Sequence, residues 1–185
     1  MEKNRTELSQ GGANMEKMTS AYANKLLRKL SEDKNYLLTK ENEGQTYVAA
    51  LDEEPLIPEY DYSEVASSIA AIDEKIINIK HAINLSNATN LVDVGGSKYS
   101  VDMILVRMAQ LNKRKEVLDK MRKRQPKARI NSGLFISKKT APEYQYINYD
   151  LELVKAEYDR IDAEISAMQL ALDKYNQTVE FEVDI

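Results

Sequence analysis

The chain contains few side chains of the kind that carry out catalysis. It has one histidine, His81, and no cysteine. A catalytic triad or a histidine metal site cannot be built from His81 alone, and a two-metal carboxylate bundle would need a Glu-x-x-His pair from two helices. We interpret His81 as a solvated surface residue, with a binding or pH-sensing role as the alternative. The sequence therefore predicts that the protein is not an enzyme and holds no metal or cofactor.

A polar cluster near the middle of the chain is the candidate ligand site. It combines side-chain amides with cations that lie nearby in sequence: Asn84, Asn87, Asn90, Lys98, Arg107 and Arg114. Amides and cations of this kind suit a phosphate or carboxylate. One hypothesis is therefore a binding module that holds a small anionic ligand, such as a nucleotide, between subunits.

The segment Leu91–Asp102 (LVDVGGSKYSVD) also suggests phosphate binding, because glycines and Lys98 precede the N-terminus of a predicted helix. Its spacing differs from a P-loop, which needs four residues between its glycines and then Lys-Ser or Lys-Thr. We interpret the segment as a β-hairpin with Gly95 and Gly96 in the turn, followed by a helix cap at Ser100.

Charged residues occur in blocks of opposite sign. Residues 113–129 include nine basic and two acidic residues, 41–64 include eight acidic and no basic residues, and 150–185 include ten acidic and three basic residues. Such blocks favour contact with each other within or between chains. An anionic ligand is an alternative partner for the basic block. Nucleic acid is disfavoured, because the net charge is −4 and no aromatic residues interleave with the basic ones.

The elements that position these residues are predicted to be helical. Leu, Ile, Ala, Glu and Lys dominate the composition, which favours long helices. Apolar residues at three- and four-residue spacing predict helices over 19–43, from Asp61 or Ser63 to about residue 90, over 101–124, and over 149–176. The second and fourth helices carry the most regular seams, namely Val65, Ile69, Ile72, Ile76, Ile79 and Ile83, and Leu151, Val154, Tyr158, Ile161, Ile165, Met168, Leu172 and Tyr175. The expected fold is mainly α, a bundle of four long helices in antiparallel hairpins.

Short β-strands are predicted at 46–51, in the 91–99 hairpin and at 178–185, with a further short strand at 134–136 in a long loop. The last strand alternates apolar and polar residues, which is typical of a strand buried on one face. Because such a strand is not stable alone in water, we expect it to pair with Thr46–Leu51 or with the same tail of another subunit. Deleting Thr178–Ile185 is expected to lower the melting temperature or the oligomer size.

The expected domain organisation is a flexible leader at 1–14 and a single helical domain at 15–185. The N-terminal residues lack the apolar core of a secretory signal, and no apolar run is long enough for a membrane span. We therefore expect a cytoplasmic protein without a membrane partner.

Parts of the chain resemble the septicolysin-like family of largely uncharacterised bacterial proteins with a helical hairpin architecture. The resemblance covers about residues 20–185 and is carried by the acidic segment before the second helix and by three stretches: KHAINLSNATN (80–90), SVDMILVRMAQLNKRKEVLDKM (100–121) and DRIDAEISAMQLALDKYNQTVEF (159–181). Asn84, Asn87, Asp102 and Arg107 stand where the family pattern has polar residues. The resemblance implies a homo-oligomer assembled through long helices, and it assigns no catalytic residue.

The main functional hypothesis is a structural or interaction protein, a coiled-coil homo-oligomer whose helical seams and C-terminal strand join subunits. The anion-binding module is the alternative. The family name also suggests a pore-forming toxin. That interpretation is disfavoured, because the sequence contains no secretion signal and no amphipathic insertion hairpin with an apolar face.

Overall fold

The computed structural model describes residues 15–130 and 142–185 of the chain. These residues are mainly helical, as predicted, and include the four helices α1 (Ser20–Gly44), α2 (Tyr62–Thr89), α3 (Val101–Arg122) and α4 (Leu151–Thr178). Asp61 begins α2 by accepting a hydrogen bond from the Glu64 backbone N–H (2.9 Å), as the N-cap prediction requires. Ser100 stands at the N-cap position of α3, but its hydroxyl donates to Asp102 and makes no cap hydrogen bond.

Short strands in the described residues pair as three antiparallel two-stranded sheets. They are β1 (Met15–Thr19) with β6 (Glu180–Asp184), β2 (Leu91–Val94) with β3 (Ser97–Ser100), and β4 (Lys127–Arg129) with β5 (Tyr144–Tyr146). The predicted 91–99 hairpin is confirmed. Gly95 and Gly96 have φ angles of 60° and 86°, and only glycine adopts such angles readily in a tight turn.

The strand prediction for 46–51 is wrong. These residues form no strand, because their apolar side chains have no buried face to pack on and remain exposed. The predicted strand at 178–185 is shorter, since α4 continues to Thr178. Its predicted pairing with Thr46–Leu51 is wrong, because β6 pairs with β1 of the same chain. Met18, which lies just before the predicted first helix, is in β1 opposite Phe181. The predicted strand at 134–136 and the predicted leader at 1–14 lie outside the described residues.

The described residues group into two compact units. The first contains residues 15–89 and 174–185, and the second contains the described residues of 90–173. The last residues of α4, from Lys174, therefore belong to the first unit. The expectation of one domain over 15–185 stays a prediction.

The core of the first unit lies between α1, α2 and the β1–β6 pair. Its buried residues are Met18, Ala23, Leu30, Ile79 and Val183. Ile72, Ile76 and Ile83 of the α2 seam and Phe181 of β6 pack against them. At the edge of this core the Lys34 Nζ of α1 binds Asp73 Oδ1 of α2 at 2.6 Å. The apolar seam of α2 is thus used inside the chain.

A buried polar pair extends the α2 seam beyond its apolar part. Ser86 lies seven residues beyond Ile79, in the same seam register, and is buried together with Tyr175. The two hydroxyl oxygens are 2.6 Å apart, and the Tyr175 hydroxyl also donates to the Ser86 carbonyl oxygen at 3.2 Å. Buried hydroxyl groups need hydrogen-bond partners. Because Ser86 and Tyr175 bond to each other, both can be buried at the polar end of the seam.

In the second unit, α3 and α4 each bury residues at seven-residue intervals. Ile104, Leu111 and Leu118 are buried on α3, and Val154, Ile161 and Met168 are buried on α4. All eight predicted seam residues of α4 are buried or half-buried, so that seam is confirmed. The Tyr149 hydroxyl, just before α4, donates to the Met121 carbonyl oxygen at 2.7 Å and ties the start of α4 to the end of α3.

Replacement of Val183 by Ala tests the core of the first unit. Val183 is only 1% exposed, and removal of two buried methyl groups is expected to lower the free energy of unfolding by about 2 kcal/mol. Urea denaturation followed by circular dichroism measures the change. The neighbouring Glu182 is exposed and makes only a surface ion pair with Lys17, so Glu182→Ala should cost no more than about 1 kcal/mol. Equal losses in both variants would contradict this core.

Replacement of Tyr175 by Phe tests the buried polar pair. The variant loses both hydrogen bonds to Ser86 while keeping the ring, and we expect a loss of about 1 kcal/mol in the free energy of unfolding. Tyr36 lies largely exposed on α1, so Tyr36→Phe is the control and should leave stability unchanged. A double-mutant cycle with Ser86→Ala measures the coupling; strictly additive losses would show that the pair contributes no interaction energy.

Candidate interaction surface

The segment between α1 and α2, residues 45–61, is termed the connector. It contains neither helix nor strand, because Pro55 and Pro58 cannot continue a helix or donate to a sheet. A turn with a backbone hydrogen bond from Glu53 N to Ala50 O (3.4 Å) lies in its middle. Structureless connections longer than about 12–15 residues are uncommon in compact domains unless they are functional or linkers.

The connector exposes apolar side chains almost completely. Val48 is 96% exposed, Leu51 105% and Leu56 93%, and Tyr47 and Ile57 are also exposed. A single exposed leucine needs no explanation, but a contiguous group of apolar residues marks an interaction site on a soluble protein. These side chains are therefore the best candidate for a contact surface in the first unit.

Carboxylates alternate with the apolar residues along the connector. Asp52, Glu53, Glu54, Glu59 and Asp61 lie within it, and it contains no Lys or Arg. None of these carboxylates makes an ion pair with another described residue, and Asp61 instead caps α2. An apolar patch with an acidic rim favours a partner surface that is both apolar and basic.

A cavity of about 550 Å³ lies where the connector meets the two helices. It is lined by Leu38, Glu41, Asn42, Gln45, Tyr60 and Tyr62. The Tyr60 hydroxyl donates to Glu41 Oε1 at 3.2 Å. Partial burial and the neighbouring Glu41 carboxylate raise the pKa of Tyr60 above its usual value, so the phenol stays neutral and keeps donating this hydrogen bond.

Gly44 allows the connector to approach the end of α1. A Cβ atom at position 44 would lie 2.6 Å from the Cβ of Tyr60 and 2.8 Å from its Cγ. Because only glycine lacks this atom, Tyr60 can pack directly against the last turn of α1. The predicted end of the first helix at residue 43 gave no indication of this contact.

The six residues predicted to bind an anion divide between the two units. Asn84 and Asn87 lie near the end of α2, and the other four lie in the second unit. Lys98 on β3 is exposed and stands opposite Asp93 on β2. Asn90 precedes β2 and is half-buried. The ligand site stays a prediction.

Two of the predicted cations lie close to carboxylates of α4. Arg107 binds Glu164 Oε1 through Nη2 at 2.6 Å. Arg114 is near enough to Glu157 that its charge contributes to lowering the pKa of that carboxyl, although hydrogen bonding from Arg160 is the main cause. Arg107 also lines a cavity of about 310 Å³ with Asp102, Tyr99 and Met103. Carboxylates near both guanidinium groups reduce their attraction for a free anion.

The basic residues of α3 partly neutralise the acidic residues of α4, as the opposed charge blocks predict. Lys115 pairs with Asp162, and the Arg122 guanidinium lies 3.9 Å from the centroid of the Tyr158 ring. Arg122 and Lys123 also bind Asp119 on α3 itself. Hydrogen bonds from these two cations lower the pKa of Asp119.

His81 is exposed, as interpreted from its position. No cluster of His, Cys, Asp and Glu suited to a metal ion occurs within residues 15–130 and 142–185. In the same ranges no helix is both long and apolar enough to cross a membrane.

Comparison of the chain with protein-family models, with curated proteins and with solved structures gives no match.

Replacement of Gly44 by Ala tests the packing of the connector on α1. Alanine would favour the helix by up to about 1 kcal/mol, but its Cβ would displace Tyr60, and overpacking costs about 1–3 kcal/mol. We therefore expect a lower melting temperature for Gly44→Ala. The adjacent Glu43 is exposed, so Glu43→Ala should melt like the parent protein. A Gly44→Ala variant that is more stable than the parent would show that Tyr60 does not pack closely there.

Proposed function

We propose that this protein is a non-enzymatic, helical homo-oligomer that acts as a structural or interaction protein, and that the connector forms its main subunit contact. The observation that carries the proposal is the nearly complete exposure of Val48, Leu51 and Leu56 within one short acidic segment. Single large hydrophobic residues are common on protein surfaces, whereas a group of them in one segment requires a partner.

The balance of buried and exposed apolar residues supports this proposal. Within the described residues the buried core contains 15 hydrophobic residues, whereas 22 large hydrophobic side chains are exposed. Association of several copies would remove part of this apolar surface from water. The α2 seam and the C-terminal strand are already used inside the chain, which leaves the connector as the better candidate for the contact.

The free energy of association indicates how many side chains the subunit contact has to bury. Burying Val48, Leu51 and Leu56 contributes about 1.5–3 kcal/mol each. Association itself costs about 4–15 kcal/mol in lost translational and rotational freedom. Three side chains, at about 4.5–9 kcal/mol in total, offset only the lower part of this cost, so a stable assembly needs further contacts beside them.

The resemblance to the septicolysin-like family supports the same proposal, because it implies a homo-oligomer of long helices. Antiparallel packing of α1–α4 as a four-helix bundle is the arrangement we propose for the assembled helices. The resemblance also implies a bacterial protein, and a cytoplasmic location is compatible with the absence of cysteine from the chain.

Sedimentation velocity at micromolar concentration tests the proposal. We expect a mass that is a multiple of the 21.1 kDa chain, and a shift toward the single-chain mass for the variant Val48→Ser/Leu51→Ser/Leu56→Ser. Its circular dichroism spectrum should be unchanged, because these side chains pack on nothing in the single chain.

The control replaces three exposed apolar residues outside the connector: Tyr36→Ser, Leu153→Ser and Leu170→Ser. This variant should keep the parent mass. A parent protein that sediments as a 21.1 kDa monomer would overturn the proposed function.

A further inference from the structure

Three cations in the second half of α3 and just after it take no part in the ion pairs with α4. Lys113, Val117, Lys120 and Arg124 follow at spacings of four, three and four residues, which places them along one side of the helix and its C-terminal extension. All four are exposed. Their three cations bind no carboxylate of the described residues. We term these four residues the basic stripe.

The basic stripe and the connector are complementary in two respects. The connector presents the carboxylates of Asp52, Glu53 and Glu54 between exposed Leu51 and Leu56. The stripe presents three cations around Val117, which is 48% exposed. Opposite charges around apolar centres are the arrangement that gives an interface its specificity.

We propose that the connector of one copy of the chain docks on the basic stripe of a second copy. This inference rests on the proposed homo-oligomer and names the surface that the connector contacts. Each copy carries one connector and one stripe, so the contact joins different surfaces on the two partners. Contacts of this kind close into a ring when the rotation between copies permits.

Docking on the basic stripe gives the connector both ion-pair partners and apolar neighbours. Exposed ion pairs contribute about 0.2–1 kcal/mol each and are screened at physiological salt. Each ion pair contributes more when apolar neighbours exclude water from it. The burial of Val117 with Leu51 and Leu56 provides such neighbours. The carboxylates of Asp52, Glu53 and Glu54 then determine which surface the apolar side chains contact.

Charge exchange tests the proposed docking. The connector variant is Asp52→Lys/Glu53→Lys/Glu54→Lys, and the stripe variant is Lys113→Glu/Lys120→Glu/Arg124→Glu. Each variant alone opposes like charges across the contact, and we expect its dissociation constant to rise by about tenfold or more. A mixture of the two restores opposite charges in every contact between unlike copies, so it should sediment as an assembly where neither variant alone does.

Two controls accompany the exchange. Lys25, Arg28 and Lys29 are exposed cations of α1, and their replacement by Glu changes the net charge as the stripe variant does but should leave the mass unchanged. A chain that carries the connector substitutions and the stripe substitutions together should assemble like the parent. Circular dichroism and melting temperature establish that every variant is folded.

The outcomes separate this inference from the proposed function. An oligomeric parent whose mass is unaffected by either variant would overturn the docking and leave the homo-oligomer standing. A monomeric parent would overturn both. If the mixture stays monomeric while the chain with both sets of substitutions regains the parent melting temperature, the charges meet within one chain and the docking between copies is wrong.

Discussion

The packing of the β1–β6 strand pair on α1 and α2 holds the first unit together. Met18 and Val183 come from opposite ends of the described chain and are buried against Ala23 and Ile79. A two-stranded sheet alone is at best marginally stable in water, and most of the stability of a helix in a protein comes from the packing of its apolar face. Because each covers an apolar face of the other, the core depends on both. This packing holds α1 beside α2. It thereby fixes the two ends of the connector that joins them.

Electrostatic interactions have a different role in the second unit. Cations of α3 alternate between partners on α4 and solvent, so Lys115 binds Asp162 while Lys113 remains exposed. Exposed ion pairs add little to stability. Their main effect is on orientation, because a charged helix face fits only a neighbour of opposite sign. The face that α4 does not neutralise remains available to a partner.

The sequence predicted the elements of the fold better than their partners. Helical periodicity identified α2 and α4 nearly to their ends, and the Gly95-Gly96 pair identified the β2–β3 hairpin, because each signal is local. The partner of β6 could not be predicted, since Met15–Thr19 is short and carries no regular alternation. Residues 46–51 have strand-like composition, but composition does not reveal whether a buried face exists. The candidate surface was missed for the same reason: exposure is a property of the folded chain, and interleaved apolar, acidic and proline residues were interpreted only as a linker.

The pairing of β1 with β6 also has a consequence for the order of folding during synthesis. Met18 pairs with Phe181, and almost the whole chain is translated between them. The second unit, made of residues 90–173, is translated before β6. The core of the first unit cannot be completed, and Ile79 and Ala23 remain uncovered, until β6 emerges. Contacts so distant in sequence slow folding and prolong the exposure of apolar surface. The apolar face of the α1–α2 pair therefore stays uncovered until β6 has been synthesised.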